Sequence, residues 1–466
     1  MLPKHFLIRK TFTLTCFVIA FVAALGDLLF GFVLLNPLAI LTMLLFVLLG
    51  FNTVSPTPRA IATGLLVGGW VLGAVFGHVV DVFIRSSQMV LNLILLFGGM
   101  AFIQFPALKS PAMTDIRQIV FQQPPGRRYM ALTLVSHYVG ALISLSVLGL
   151  LSSFIEKQKN PQAKRRIGIA MSRGFSAATV WSPFFISMAV VASLLPTVPW
   201  SEFALAAFFL GFCLLLLGWL VDRLEGVQQT INVNDSKETY QTSASAWSSI
   251  SKIMLIMVMI VVCIMSLSEF TALNTPGAVA IALPVVSIIW VMTIASFRTE
   301  LKTPSSLQEL SGDVTRRCLS LVSPMLMFYG AITFGQGISE ALNSELLDIS
   351  LSDLGINYGN ALIILTAVVV IAGSVMHPII PVVVIGSLID PTELGFSPTV
   401  IAVFLLAARS LASLMSPFSG LTIIMSQIFQ TSPWKTSWRY QARFTLLASI
   451  FCVVYLYLYD QLIQTP

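Results

Sequence analysis

A nine-residue pattern that occurs twice constrains the fold of this chain more than any other feature. The first copy runs from Ser176 to Phe184 and the second from Ser410 to Phe418, and both fit S-x-A-[ST]-x-x-S-P-F. The copies lie 234 residues apart in a chain of 466 residues. Each copy interrupts a long apolar segment with a Ser-Pro pair, and proline breaks a continuous helix. Two halves that break a membrane helix at matched positions indicate an internal-repeat transporter with its site at the breaks.

The composition is that of a membrane protein. The chain is 56% hydrophobic and only 10% charged, and its mean hydropathy is +0.90. Runs of roughly 20 apolar residues recur from end to end, and each is long enough to cross a bilayer as a helix. Backbone groups in lipid must be paired within the segment, so the predicted fold class is an all-α polytopic membrane protein. The net charge of +6 is attributed to Lys and Arg on the cytoplasmic side and not to nucleic-acid binding.

The distribution of Lys and Arg between the loops predicts the topology. The basic N-terminus is placed in the cytoplasm and the C-terminus in the periplasm, which makes this an inner-membrane protein with about eleven transmembrane helices. The two halves run in opposite directions through the membrane, as an inverted-topology repeat. The predicted units are an extra N-terminal helix (1–33), the first repeat (34–222), a polar cytoplasmic linker (223–248) and the second repeat (249–466).

Two stretches outside the repeated motif also predict local structure. Helix 3 is expected over 60–83 and helix 4 over 88–106, and helix 3 carries small residues that favour close helix packing, namely Gly69, Gly73 and Gly77. Residues 300–316 have the pattern of an amphipathic connector at the inner membrane surface.

Two apolar segments are predicted to be re-entrant hairpins because their flanks place both ends on the same side of the membrane. Segment 129–155 has basic residues on both flanks and opens to the cytoplasm, with His137 near its tip. Segment 358–389 has no Lys or Arg on either flank and opens outward. Its expected tip contains His377, Pro378 and Pro381, since closely spaced prolines interrupt a span.

The two copies of the motif predict broken helices over 167–195 and 396–430. Serine is a preferred N-cap and proline is favoured at the first helical position, so each Ser-Pro pair is expected to start a new half-helix whose N–H groups attract anions. These pairs are Ser182-Pro183 and Ser416-Pro417. Four hydroxyls precede the breaks and are candidates for contact with substrate, namely Ser176, Thr179, Ser410 and Ser413. A Na⁺ ion is expected, if anywhere, near Thr179 and Ser413; the alternative for each hydroxyl is a bond to its own helix.

Charged and titratable residues at membrane depth complete the predicted site. Arg409 lies about twelve residues into its segment, roughly 18 Å from its start. A buried arginine without a carboxylate partner predicts a bound anion. Arg173, closer to the inner loop, is expected either to snorkel or to function. Ser136, His137 and His377 are predicted to contact substrate or to carry a proton, with packed, hydrogen-bonded histidines as the alternative.

This layout of eleven spans, two oppositely opening hairpins and two broken helices resembles the ion transporter superfamily. The superfamily includes the divalent anion/sodium symporters and the large membrane subunit of TRAP transporters. The resemblance is one of layout, because the hairpin segments read Ser136-His137-Tyr138 and Ser374-Val375-Met376-His377-Pro378 where the symporters have Ser-Asn-Thr. It implies a homodimer in which the hairpins and broken helices move past a fixed scaffold like an elevator.

The leading hypothesis is therefore a secondary transporter that moves a small anionic, carboxylate-like solute, coupled to Na⁺ or H⁺. One alternative is a lipid-handling or enzymatic polytopic membrane protein, and another is a TRAP-like permease subunit that needs a partner. No metal, nucleotide or nucleophile motif is present, so we expect no catalysis and no cofactor beyond the coupling ion. The expected partners are the solute, membrane lipids and a second copy of the chain.

Overall fold

The computed structural model describes residues 4–123, 125–156, 160–225, 244–271, 273–297, 303–342, 354–389, 391 and 393–464. Within these ranges the chain is almost entirely helical and contains no strand. Ten helices of the described residues are long and apolar enough to cross a membrane. The eleventh predicted span, 167–195, is present as two shorter helices. The all-α polytopic fold class is thereby confirmed.

The first half of the chain forms helices α1 to α10. Their bounds are α1 (Lys4–Phe30), α2 (Leu35–Gly50), α3 (Pro56–Val75), α4 (Val79–Lys109), α5 (Pro111–Gln122), α6 (Pro125–Ile143), α7 (Ser146–Glu156), α8 (Pro161–Ala178), α9 (Ile186–Leu194) and α10 (Trp200–Leu224). The predicted linker 223–248 overlaps the end of α10, and its residues 226–243 lie outside the described part of the chain.

The second half forms helices α11 to α19. Their bounds are α11 (Ala244–Phe270), α12 (Thr275–Phe297), α13 (Thr303–Ser320), α14 (Val322–Leu342), α15 (Ala361–Val375), α16 (Ile379–Leu388), α17 (Pro398–Met415), α18 (Gly420–Phe429) and α19 (Tyr440–Gln464). A single π-helical turn, Lys435–Arg439, precedes α19. The predicted connector 300–316 corresponds to α13, of which the described part begins at residue 303.

The helices pack as two bundles. Helices α1 to α4 pack with α11 to α14, and we call this group the scaffold bundle. Helices α6 to α10 pack with α15 to α19, and we call this group the hairpin bundle. The same type of helix pair occurs twice in the scaffold bundle. Helix α3 of the first half packs along α14 of the second, and α12 of the second half packs along α4 of the first. The bundles meet where α4 contacts α6 and α9 and where α14 contacts α16.

Glycines bring the backbones of α3 and α14 into direct contact. A Cβ atom on Gly69 would lie 2.3 Å from the carbonyl oxygen of Thr333, and one on Gly330 would lie 2.4 Å from that of Ala62. Such distances exclude any side chain, so the close packing predicted from the small residues of helix 3 is present at Gly69. Gly77 has a different role, because its φ of +83° ends α3 and turns the chain into α4. Helix 3 therefore ends at Val75, and the predicted bound of 83 is wrong.

Each hairpin segment consists of two antiparallel helices joined by a short turn. Helices α6 and α7 are joined at Ser144 and Leu145, and Ser144 adopts a φ of +53°. Helices α15 and α16 are joined by Met376, His377 and Pro378. The expectation that His137 lies near the first tip is wrong, because the turn forms about two helical turns further along the chain.

Candidate substrate site

The two copies of the repeated motif cross at their first serines. The Oγ atoms of Ser176 and Ser410 are 2.8 Å apart. The Ser176 hydroxyl donates to the carbonyl of Ser410 at 3.0 Å, and the Ser410 hydroxyl donates to that of Ser176 at 2.7 Å. Both residues are buried. The two hydrogen bonds are reciprocal, as expected on a pseudo-two-fold axis between the halves. They use the hydroxyl protons of Ser176 and Ser410, which were both predicted to contact the substrate.

The second serine of each copy ties its broken helix to a hairpin. Ser182 donates from Oγ to the carbonyl of Ala141 at 3.0 Å, and Ser416 donates from Oγ to that of Met376 at 2.9 Å. The two bonds span 41 and 40 residues, so the halves repeat this contact as well. Ala141 thus corresponds to Met376, and the residue that corresponds to His377 is Leu142. His137 and His377, which were both placed near hairpin tips, therefore do not occupy equivalent positions.

The half-helices do not begin at the Ser-Pro pairs as predicted. Ser182 and Ser416 instead accept the backbone N–H two residues later, a hydroxyl-stabilised turn, at 3.4 and 3.2 Å. Helix α9 begins at Ile186, and α18 begins at Gly420 with Ser419 as its N-cap, whose side chain accepts from the Thr422 N–H at 3.1 Å. Pro183 and Pro417 consequently lie within the breaks and not at a first helical position.

The carbonyls released by the breaks face hydroxyls of the following half-helix. The carbonyl of Thr179 accepts from Ser187 at 3.1 Å, and that of Ser413 accepts from Ser419 at 2.7 Å. The Thr179 hydroxyl donates to its own helix, at the carbonyl of Ser176, at 2.8 Å. Oxygen atoms are thus grouped at both breaks, where a Na⁺ ion was predicted. Among the described residues there is no group of three His, Cys, Asp or Glu that would hold a metal ion.

His137 is a buried structural residue in this conformation. The indole N–H of Trp181 donates to Nε2 of His137 at 3.0 Å, so the ring proton sits on Nδ1, which is 3.3 Å from the carbonyl of Gly174. Both ring nitrogens are occupied and the side chain has no exposed surface. Its neighbour Ser136 is also fully buried, and the Ser136 hydroxyl has no hydrogen-bond partner. Neither residue is open to a solute in this conformation.

Arg409 and His377 lie close together near the second break. Arg409 is partly buried, and its Nε atom is buried without a hydrogen-bond partner. The guanidinium is close enough to the imidazole of His377 to interact with it electrostatically. The ring of His377 also packs edge-on against Phe328 of the scaffold bundle, with ring centroids 5.5 Å apart. The residue of the first repeat that corresponds to Arg409 is Phe175, so only the second half carries a charge here.

The two breaks differ in their access to the surface. Phe184 of the first copy is 1% exposed, whereas Phe418 of the second is 41% exposed. Phe418 packs edge-on against Trp434, with ring centroids 5.9 Å apart. The indole N–H of Trp438 donates to the carbonyl of Ser374 at 3.3 Å, close to the turn of the second hairpin. The second break therefore reaches the surface beside two tryptophans, and the first break is sealed.

Arg173 neither snorkels nor faces a solute. The side chain is 2% exposed and donates to the amide oxygen of Gln441, the hydroxyl of Tyr129 and the carbonyl of Gly218, at 3.2 to 3.3 Å. Its guanidinium also lies 4.6 Å from the ring centroid of Phe444. These contacts join α6, α8, α10 and α19, so Arg173 holds the hairpin bundle together.

Sequence reasoning missed a buried ion pair about two helical turns away from Arg173 on α8. Arg166 binds Asp222 through three hydrogen bonds of 2.6 to 3.1 Å, and both side chains are buried. Asp222 lies in the last turn of α10, where a carboxylate is expected to face solvent. The only sequence signal was a lone Asp next to a long apolar run.

Comparisons with known proteins agree with this architecture. The sequence model of the family described as tripartite ATP-independent periplasmic transporter, DctM component, matches residues 131–460. Among solved structures, the YdaH transporter of Alcanivorax borkumensis has a similar fold, with a TM-score of 0.56 and 11% sequence identity. The similarity covers 86% of this chain and 97% of that one. No curated protein sequence matches the chain.

Proposed function

This chain belongs to the DctM component family of tripartite ATP-independent periplasmic transporters, and on that basis we propose that it carries a small carboxylate-like anion across the inner membrane. Family membership identifies it as a secondary transporter component and an integral membrane protein. The same membership disfavours the lipid-handling and enzymatic alternatives. The solute, the coupling ion and the type of motion are part of the proposal.

The observation that best supports an anionic substrate is the partly buried Arg409, whose Nε has no hydrogen-bond partner. Burying a charge without a partner costs several kcal/mol, and such residues in membrane helices usually serve function. Among the described residues no carboxylate pairs with Arg409. A carboxylate solute would satisfy the guanidinium, since the planar fork of arginine binds carboxylates bidentately. The Nε2 atom of His377, whose Nδ1 accepts from the Ile379 N–H, and the first N–H groups of α18 are further donors near the second break.

The proposed motion is that of the hairpin bundle past the scaffold bundle. The separate packing of the two bundles supports such an elevator-type movement. Na⁺ or H⁺ is the proposed coupling ion, with Na⁺ at the oxygens grouped around Thr179 and Ser413. The N-terminus is proposed to lie in the cytoplasm and the C-terminus in the periplasm.

The proposed partners follow from the family description, which names one component of a tripartite system. We therefore favour a protein that receives its solute from a separate binding protein over one that works alone. The homodimer implied by the resemblance to the symporters stays a prediction. The molecular mass of the purified complex tests it directly.

Thermal unfolding of the purified protein with candidate solutes tests the proposed substrate class. Small carboxylates, phosphate, sulfate and amino acids are added in Na⁺ and in K⁺ at two pH values. We expect a carboxylate to raise the Tm of the wild type and not that of Arg409→Ala, because a ligand stabilises only the state that binds it. Arg443→Gln is the matched control, since this arginine is 75% exposed and its nearest carboxylate, that of Glu225, is 4.0 Å away. An equal shift in Arg409→Ala, or none with any anion, would contradict the proposal.

A further inference from the structure

Three hydrogen bonds of the same kind join the scaffold bundle to the hairpin bundle. Each of them links a side-chain amide of the scaffold bundle to a serine hydroxyl of the hairpin bundle, and we call them the boundary bonds. The pairs are Asn92 with Ser193 at 2.8 Å, Gln336 with Ser387 at 2.8 Å, and Gln104 with Ser146 at 3.1 Å. The amide groups of Asn92 and Gln336 donate, and that of Gln104 accepts.

The three serines lie on the elements that surround the two breaks. Ser146 is the first residue of α7, directly after the turn of the first hairpin. Ser193 is the next-to-last residue of α9, the half-helix that follows the first break. Ser387 is the next-to-last residue of α16, the second arm of the second hairpin. The boundary bonds therefore attach both hairpins and one broken helix to the scaffold bundle.

Each amide also has a second partner inside the scaffold bundle. The side-chain oxygens of Asn92 and Gln104 accept from Asn274, at 3.0 Å, and from Arg317, and the amide nitrogen of Gln336 lies 3.7 Å from Sδ of Met89. Ser193 likewise keeps a bond within its own helix, to the carbonyl of Ala189 at 2.8 Å. Breaking a boundary bond therefore leaves these groups partly satisfied, which lowers the cost of separating the bundles.

The other half of the chain does not repeat the boundary bonds. The correspondence of the hairpins and of the motif copies gives the residues at the matching positions, namely Pro381 for Ser146, Ser152 for Ser387 and Gln427 for Ser193. Pro381 has no hydroxyl. Ser152 donates to the carbonyl of Gly149 in its own helix at 3.0 Å, and Gln427 is exposed. The boundary bonds thus have no counterpart across the pseudo-two-fold axis.

The boundary bonds are also specific to the present position of the hairpin bundle. Asn92 and Gln104 are twelve residues apart on α4, which corresponds to about 18 Å along the helix axis, so the bundle is held at two separate levels. A hydrogen bond needs its donor and acceptor within about 3.5 Å. A shift of the hairpin bundle by one helical turn, about 5.4 Å, would break all three bonds. Contacts that exist in only one of two states shift the equilibrium towards that state.

We propose that Asn92, Gln104 and Gln336 are positioning residues that hold the hairpin bundle at one end of its movement. Together they set the fraction of the protein that adopts this conformation. The inference rests on the movement of the hairpin bundle proposed above, and it does not depend on which solute is carried. Neutral bonds suit this role, because each contributes modestly and is broken more cheaply than a buried ion pair.

The distance between the two bundles tests this role in the purified full-length protein. Phe270→Cys on α11 and Leu205→Cys on α10 are labelled with nitroxides in a background without other cysteines, and pulsed electron paramagnetic resonance measures the distances between the labels. Both native side chains are exposed, at 85% and 68%, so labelling leaves the packing intact. The variants are Asn92→Leu, Gln104→Met and Gln336→Met, which replace each amide by an apolar side chain of similar size.

We expect each variant to raise the ratio of the displaced to the present position about fivefold, the effect of one typical hydrogen bond on an equilibrium constant. The triple variant should raise this ratio up to roughly a hundredfold, the product of the three effects. Ser387→Ala should act like Gln336→Met, and the double variant Gln336→Met/Ser387→Ala should have no larger effect than either single variant. A purely structural role would lower the Tm and leave the ratio unchanged.

Asn36→Leu is the matched control, since Asn36 donates to the carboxylate of Asp27 at 2.9 Å within the scaffold bundle. The proposal is overturned if two distances are present and the amide variants show the same ratio as this control. A single distance in the wild type and in the triple variant would also overturn it, and would contradict the proposed movement as well. The proposed solute is tested separately, because Arg409 is unchanged in these variants and the rise in Tm with a carboxylate is measured on the wild type.

Discussion

The buried ion pair between Arg166 and Asp222 is expected to be tolerated only while both charges are present. Removing one partner should destabilise the protein more than removing both. Three hydrogen bonds of 2.6 to 3.1 Å join the two side chains, whose exposed fractions are 8% and 6%. Replacing Asp222 by Asn keeps the shape but leaves the arginine without a counter-charge in the hairpin bundle. Removing one partner of a buried pair costs about 3–5 kcal/mol.

Thermal or chemical unfolding in detergent measures this effect. Asp222→Asn and Arg166→Met are each expected to lower the Tm by several degrees. The double variant Arg166→Met/Asp222→Leu should lose less than either single variant, because no uncompensated charge stays buried. Arg443→Gln is the control, since the 4.0 Å pair of Arg443 with Glu225 is exposed on the arginine side and is expected to contribute at most about 1 kcal/mol.

Two results would refute this reasoning. If Asp222→Asn unfolds like Arg443→Gln, the pair is open to water and does not behave as a buried charge. If the losses of the two single variants add up in the double variant, the side chains act independently and the coupling inferred from their geometry is absent.

Three further predictions concern the repeated motif and the topology. Ser176→Ala and Ser410→Ala should each destabilise by about 1 kcal/mol, and unfolding of the double variant should show coupling between them; strict additivity would contradict a reciprocal contact. In a background without other reactive thiols, Phe418→Cys should react with a water-soluble maleimide and Phe184→Cys should not, and equal labelling would disprove the asymmetric access. A tag at the C-terminus should be accessible from the periplasm of intact cells; accessibility only after lysis would reverse the predicted orientation.

The fold class and the broken helices were predictable because local sequence determines them. An apolar run of roughly 20 residues forms a membrane helix whatever its neighbours are, since its backbone must be hydrogen-bonded internally. The two copies of the Ser-Pro motif interrupt a helix for a similarly local reason. The offset of 234 residues between them sufficed to identify the repeat, and Ser176 and Ser410 do meet in the structure.

The histidines show where such reasoning fails. The sequence predicted that His137 and His377 both lie near the tip of a hairpin. Their roles depend on where each hairpin turns, which is at Ser144 in the first hairpin and at His377 itself in the second. His137 therefore ends inside the bundle, bonded to Trp181, while His377 meets Arg409 at the turn.

The sequence by itself determined that this chain is a helical membrane protein with a motif repeated in its two halves, two interrupted helices and an arginine far from the ends of its apolar segment. These properties follow from hydropathy, proline and charge, which act over a few residues. Only the tertiary structure decided which polar groups are already paired. Both Arg173 and Arg409 were candidate functional charges, yet Arg173 is surrounded by neutral acceptors from three other helices and Arg409 Nε has none. Hydrogen-bond partners come from residues far apart in the chain, and only folding brings them within reach.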